Sequence, residues 1–301
     1  MRTGWKRQAH LHLSLRHILN HAKMSFMNES NISRKRALAF IVAVGVVAFV
    51  VGAFLYGGGT RDILTDDTNT DDNCNVLAFS IKGYLSTYIP KQPAEQEIDV
   101  SSSEDIVDGI LLAQNDPEMK AIMLSIDSSG GDGVAGEEIA TALESFDKPS
   151  VAVIRSIGAS AAYWASTGAD KIYASKISDV GSIGVTASYL DESNKNAKDG
   201  YTFVELSSAR YKDTGDPSKR LTQEEREILM SDLKKAHDVF VQDVATNRNL
   251  EVSAVQKLAN GLTFIGEDAL SYGLIDEIGD VASATKYLEE KIGEKAELCW
   301  Q

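Results

Sequence analysis

From residue 76 onward, short apolar and β-branched runs alternate with stretches whose apolar positions recur every three to four residues. The runs at 76–81, 121–126, 151–154, 172–174, 183–185 and 202–206 read as strands. The stretches at 104–114, 137–144, from about 160, 222–247, 252–258, 267–272 and 281–292 read as helices. Strands that alternate with helices need crossover connections, so they pair in parallel and are covered by those helices. An α/β domain is therefore expected. Thr222 followed by Glu225 has the capping-box spacing and marks the start of the long C-terminal helix. No segment repeats with a period of roughly 20–50 residues, which excludes a solenoid.

Charge divides the chain in two. Residues 1–36 carry eight Lys/Arg and one acid, Glu29, whereas the remainder has 22 Lys/Arg against 43 Asp/Glu. A body that acidic repels phosphate, so nucleic acid is excluded as a partner. Between the two lies a 20-residue run, 37–56, without a charge. As a helix it spans about 30 Å, the thickness of the hydrocarbon core. Arg34, Lys35 and Arg36 precede it, and Asp62, Asp66 and Asp67 follow, which orients the N-terminus to the cytoplasm. The run is longer than a typical signal-peptide core and Gly57-Gly58-Gly59 offers no A-x-A-like cleavage site, so it reads as an uncleaved anchor rather than a signal peptide. The organisation expected is a basic segment at 1–36, a transmembrane helix at 37–56, a flexible acidic tether at 57–75, a catalytic domain at 76–292 and a tail at 293–301. His10, His12, His17 and His21 in the basic segment read as solvated side chains, and neither a metal site nor a cofactor is expected. Cys74 and Cys299 are the only thiols, one near each end of the acidic body. They are either two free thiols or a disulfide joining those ends, the latter only in an oxidising compartment.

The chemistry centres on Ser160, in Gly158-Ala159-Ser160-Ala161-Ala162-Tyr163-Trp164. A serine hydroxyl is a poor nucleophile until a base takes its proton. His237 is the only histidine beyond residue 21, and its neighbours Lys234 and Lys235 make it read as a surface side chain. Lys212 is then the best remaining base, in a Ser-Lys variant of triad chemistry. A lysine serves as a base only where desolvation destabilises its ammonium form, so Lys212 is expected buried against apolar groups and Ser160. The loop Asp127-Ser128-Ser129-Gly130-Gly131-Asp132-Gly133 joins a buried strand to a helix. Its glycine N–H groups suit an oxyanion hole, with Ala161 N–H at the start of the next helix as second donor. The run Gly131 to Gly136 also spells G-x-G-x-x-G, with Arg155 placed for a 2′-phosphate, so dinucleotide binding and a structural turn stay open beside it.

In this order and spacing these residues resemble the membrane-anchored signal peptide peptidase A (SppA) proteases, relatives of the ClpP and crotonase fold. The resemblance runs over about 76–292. Beyond the elements above, Gly181-Ser182-Ile183-Gly184-Val185, Tyr211-Lys212-Asp213 and Gly266…Ala269…Gly273-Leu274-Ile275-Asp276 carry it. It implies a domain of repeated β-β-α units, with Ser160 as nucleophile and Lys212 as general base. Gly131 and Ala161, with Gly130 beside them, would supply the oxyanion hole, and Ser182, Ile183, Gly184 and Val185 the substrate-binding strand. It also implies a ring-like homo-oligomer whose dyads are assembled from neighbouring subunits, and spent signal peptides or other unfolded apolar chains as substrates. The catalytic domain would lie outside the cytoplasm, periplasmic or extracellular, tethered to the plasma (inner) membrane. Two positions depart from the family pattern. Ser129 stands where the family usually has proline, and Ala161 and Ala162 where glycines usually follow the nucleophile.

Overall fold

The structure, a computed structural model, describes residues 74–89 and 99–301. The basic segment, the apolar run and most of the tether lie outside the described residues. Among the described residues no helix is long and apolar enough to cross a membrane.

In chain order the elements begin β1 (Val76–Ser86), β2 (Val100–Ser102), α1 (Ser103–Asn115), β3 (Ala121–Gly131), α2 (Gly133–Glu144) and β4 (Ser150–Ala159). They continue α3 (Ala161–Thr167), β5 (Lys171–Ala174), β6 (Asp179–Gly181), α4 (Ser193–Lys198) and α5 (Gln223–Asn247). The last are α6 (Val252–Leu258), β7 (Thr263–Ile265), α7 (Gly266–Ser271), β8 (Glu277–Ile278), α8 (Val281–Ile292) and β9 (Leu298–Trp300). The sheet runs β2-β1-β3-β4-β5-β8, and every neighbouring pair along it is parallel. β9 joins the start of β1, also in parallel, and among the described residues only β6–β7 is antiparallel.

Alternate strand residues face opposite sides, as period-2 geometry requires. Phe79, Ile81, Ile122, Leu124 and Ile126 pack into a core with α1, α2, α3 and α5, while Val76, Ala78, Ala121, Met123, Val151 and Val153 pack against Ala284 and Leu288 of α8. Burial on both faces is why these strands read as continuous apolar runs. The central strands are not uniform along their length. Register shifts between Lys82 and Tyr84 in β1, and between Ile126 and Ser128 in β3, break the ladder. β4 likewise pairs first with β5 through 151–154 and then with β6 through 157–159. Irregularities of this kind bend a sheet and re-aim its side chains. Ser160 lies just beyond the second half.

α5 starts at Thr222, whose hydroxyl accepts from Glu225 N–H while the Glu225 carboxylate accepts from Thr222 N–H, the reciprocal cap expected from the sequence. Two expected strands differ. The regular strand near 183–185 is β6 at Asp179–Gly181, and 202–206 forms no ladder. Among the described residues neither segment pairs with a strand. Leu190, Tyr201, Val204 and Leu206 are left 70–94% exposed. At the C-terminus, residues 298–300 form β9 rather than an unstructured tail, and Cys74 and Cys299 are joined as a disulfide across 225 positions.

Candidate active site

Ser160 occupies the single-residue turn between β4 and α3, at φ 53° and ψ −128°. A non-glycine residue there costs on the order of 1–3 kcal/mol and persists only when its surroundings over-determine it. They do so here. Ser160 N–H donates to Gly181 O at 2.7 Å, and Trp164 N–H donates to Ser160 O at 2.9 Å. α3 itself is buried along its whole length. Tyr163 OH donates to Leu274 O at 2.8 Å, and burial pushes that phenol well above its usual range. The Trp164 ring stacks on Phe240 of α5 with centroids 4.4 Å apart.

The glycine loop closes on this turn. Gly130, at φ +103°, lies so near that an added Cβ would stand 2.8 Å from the Ser160 Cβ and 3.1 Å from Ala161 N. Its own N–H donates to Ser128 Oγ at 3.1 Å, so among the three expected oxyanion donors it is already engaged. The next bond in the β1 ladder is from Asp132 N–H to Leu85 O at 2.8 Å, and Gly131 lies between these two anchored residues. Ala161 is the first residue of α3, where a backbone N–H has no acceptor within the helix. The last glycine of the G-x-G-x-x-G run serves packing. Gly136 brings the α2 backbone onto that of α3, where an added Cβ would be 2.4 Å from Ala161 O. Arg155 lines a different cleft, with Ser156, Ser178 and Asp280.

Ser160 lines a cavity of about 380 Å³ together with Ser182, Gly184, Val185, Thr186, His237, Ala259, Asn260 and Gly261. Four other clefts are larger, about 480–950 Å³, but none is lined by Ser160. Of the expected substrate-binding residues, Ser182, Gly184 and Val185 reach this cavity, whereas Ile183 is fully buried. Ser182 also has a positive φ, 51°. His237 is in the cavity wall, not on the open surface where its lysine neighbours suggested. The overlooked signal was periodic: Phe240 and Val241, three and four residues on, are buried on the same helix face. His237 Nε2 lies 3.1 Å from Ala259 O. A carbonyl only accepts, so that nitrogen carries the proton and is not a free base toward Ser160.

Lys212 is elsewhere. It is exposed, its N–H donates to Ala209 O at 3.1 Å, and it is not among the residues lining the Ser160 cavity. The expected burial of Lys212 against Ser160 is thus not met within one chain. The loop that carries it is nevertheless anchored. Glu225 accepts from Thr214 Oγ1 at 3.1 Å and from Lys219 Nζ at 2.8 Å. The Lys219 ammonium, with the Thr222 backbone and hydroxyl, holds the Glu225 carboxyl down to about 2.

The chain is similar in sequence to known peptidases. Residues 142–295 match the model of peptidase family S49, and residues 93–177 match the Clp protease model. A chain named as a protease in Methanocaldococcus jannaschii is 36% identical over 219 residues, 72% of this chain and 68% of the relative. One named as a signal peptide peptidase SppA in Enterococcus faecium is 33% identical over 59% of this chain and 53% of its own length. The chloroplastic serine protease SPPA of Arabidopsis thaliana is 29% identical over 70% of this chain, but the match spans only 30% of that protein. Among solved structures, the 1510-N membrane-bound stomatin-specific protease superposes with a TM-score of 0.48 at 15% identity, covering 76% of this chain and 98% of its own.

Proposed function

Because this chain belongs to peptidase family S49 and is a serine peptidase, we propose that Ser160 is its nucleophile and that Lys212, carried in by a neighbouring copy, is its general base. One observation supports this reading above the others. Ser160 is held in a strained turn beside a cavity whose one titratable wall residue, His237, has its Nε2 engaged by Ala259 O. That nitrogen does not face Ser160 as an acceptor, and the base proposed in its place is a lysine from a neighbouring copy. The segment that bears Lys212 follows exposed apolar residues, Leu190, Tyr201, Val204 and Leu206, which a second copy would bury.

In this mechanism a neutral Lys212 amine takes the Ser160 proton as Oγ bonds to the peptide carbonyl carbon. The carbonyl electron pair moves to its oxygen, which Gly131 and Ala161 N–H groups receive. The resulting ammonium returns its proton to the leaving amine as the C–N bond breaks, and water hydrolyses the acyl-enzyme by the same route. The run 37–56 tethers the domain to the membrane with its N-terminus cytoplasmic. The substrates are signal-peptide remnants and other unfolded apolar chains at that interface.

A fluorophosphonate probe tests the nucleophile: labelling should vanish in Ser160→Ala. Lys212→Met should lose turnover while the assembly stays intact. Mixed oligomers of Ser160→Ala and Lys212→Met subunits should regain activity, since a shared site then receives its serine from one variant and its lysine from the other. Intact mixed oligomers without recovery would refute a dyad shared between copies.

A further inference from the structure

We infer that Tyr84 and Ser86 are positioning residues for the oxyanion hole: through Asp132 they hold the peptide of Gly131 in place beside Ser160. The inference rests on the reading of Ser160 as nucleophile and Gly131 as oxyanion donor, and deepens it.

Asp132 is the N-cap residue of α2, where an aspartate ordinarily accepts from an N–H of the helix's first turn. Here its side chain makes no such bond. Its two oxygens turn to β1 instead. Oδ1 accepts from Tyr84 OH at 2.7 Å and Oδ2 from Ser86 Oγ at 3.1 Å. The side chain thus forgoes the usual helix cap and ties the glycine loop to the neighbouring strand. The tie falls where the β1–β3 pairing is weakest. The register shifts between Lys82 and Tyr84, and the ladder then resumes for only two pairs, Tyr84 with Gly130 and Leu85 with Gly131. Both partners on β3 are glycines, whose own backbone preferences fix little.

The loop is held to β1 on either side of those glycines. Ahead of them, the buried Ser128 hydroxyl donates to Gly83 O at 2.7 Å and accepts from Gly130 N–H at 3.1 Å. Behind them stands Asp132, with its N–H on Leu85 O and its carboxylate on Tyr84 and Ser86. Gly131 itself lies so near β1 that an added Cβ would be 1.9 Å from Leu85 O.

These bonds matter more for position than for stability. Tyr84 is exposed and Asp132 half-buried, so water competes for both and their contribution to folding is modest. An oxyanion donor acts only within about 2.7–3.1 Å of the oxygen it receives, so a small tilt of the Gly131 peptide shows directly in rate. The hydrogen bond to Asp132 also raises the Tyr84 phenol above its usual range, which keeps that donor protonated at alkaline pH, where more of a lysine base is neutral. Tyr84, Ser86 and Asp132 line no part of the Ser160 cavity, so their loss should leave substrate binding there unchanged.

The test uses the full-length protein in detergent and one reference peptide. Tyr84→Phe keeps the ring and removes the donor. Its kcat should fall about tenfold with KM within about twofold, a smaller loss than outright removal of an oxyanion donor. Asp132→Ala should lose about thirtyfold, and adding Tyr84→Phe to it should change nothing further, since the phenol then has no carboxylate to hold. Asp132→Asn keeps an acceptor for Tyr84 OH and should recover most of the rate. Urea unfolding follows the stability of each variant separately. Should Asp132→Ala not fold, Tyr84→Phe combined with Ser86→Ala removes both donors and should lose more rate than either alone. A Tyr84→Phe variant that keeps its kcat, acts through KM, or loses as much rate beside Asp132→Ala as alone would overturn this inference and leave the hydrolase reading standing. Failure of wild-type Ser160 to label with a fluorophosphonate would overturn both.

Discussion

Replacing Gly136 by alanine probes how the helix that follows Ser160 is held. The new Cβ would lie 2.4 Å from Ala161 O and 3.0 Å from Ala161 C and Cα, where ordinary contact begins near 3.4 Å. The obstruction is backbone, so no rotamer relieves it, and α2 and α3 must part by about 1 Å. A second close approach, Gly168 against Ala140 O at 2.2 Å from the Cβ position, resists that parting. Overpacking of this kind costs about 1–3 kcal/mol, and the better helix propensity of alanine returns about 1 kcal/mol. The net loss of stability is then modest, about 0–2 kcal/mol. The catalytic loss should be larger, because the displaced residue is Ala161, next to Ser160. A misplacement of about 1 Å can cost on the order of a hundredfold in rate. Urea unfolding and kcat/KM on one reference peptide, measured in parallel, separate the two effects. If Gly136→Ala is stabilised by about 1 kcal/mol and keeps its rate within about twofold, propensity alone is acting and the tight helix contact is refuted.

The disulfide and the cap of α5 give two more expectations. Closing a loop of 225 positions is worth about 5 kcal/mol in the chain-entropy model, so Cys299→Ser should lower unfolding free energy by about 2–5 kcal/mol. Hydrogen exchange should localise the first loosening to β9, and an unchanged urea midpoint would contradict this. Glu225 has its folded carboxyl lowered from 4.5 to about 2, so its contribution is fully present above pH 4.5 and lost as pH falls toward 2. Thermal unfolding of Glu225→Gln should start lower at neutral pH and decline less than wild type across that acid window. Parallel curves for the two proteins would remove Glu225 from the acid response.

The order of strands and helices was legible because a parallel sheet covered on both faces writes itself as continuous apolar runs, as at 121–126 and 151–154. β2, β7, β8 and β9 were not, since two or three half-buried residues carry no usable period. The segments at 183–185 and 202–206 have strand-like composition, yet composition specifies a ladder only where a partner strand exists. The cysteine pairing stayed open for a related reason: it depends on β9 lying beside β1, a contact invisible in residue spacing. The helix start at Ser160 was legible from its small residues. His237 was missed because two adjacent lysines outweighed the buried positions one turn further along α5.

Both residues that give the cavity its shape are strained, and they are tied to each other. Ser160 and Ser182 are non-glycine residues with positive φ, at 53° and 51°. Between them in the hydrogen-bond network stands Gly181. Its carbonyl accepts from Ser160 N–H at 2.7 Å, and the following N–H, that of Ser182, donates to Leu262 O at 2.9 Å. Ser182 Oγ then reaches Gly261 O, on the loop that His237 also holds. Strain at two neighbouring positions survives only if the structure fixing one also fixes the other. A displacement of the 182–185 segment therefore reaches Ser160 through a single carbonyl. This connection explains why residues 182–185 share a cavity with Ser160, and why the loop at 259–262 belongs to its wall.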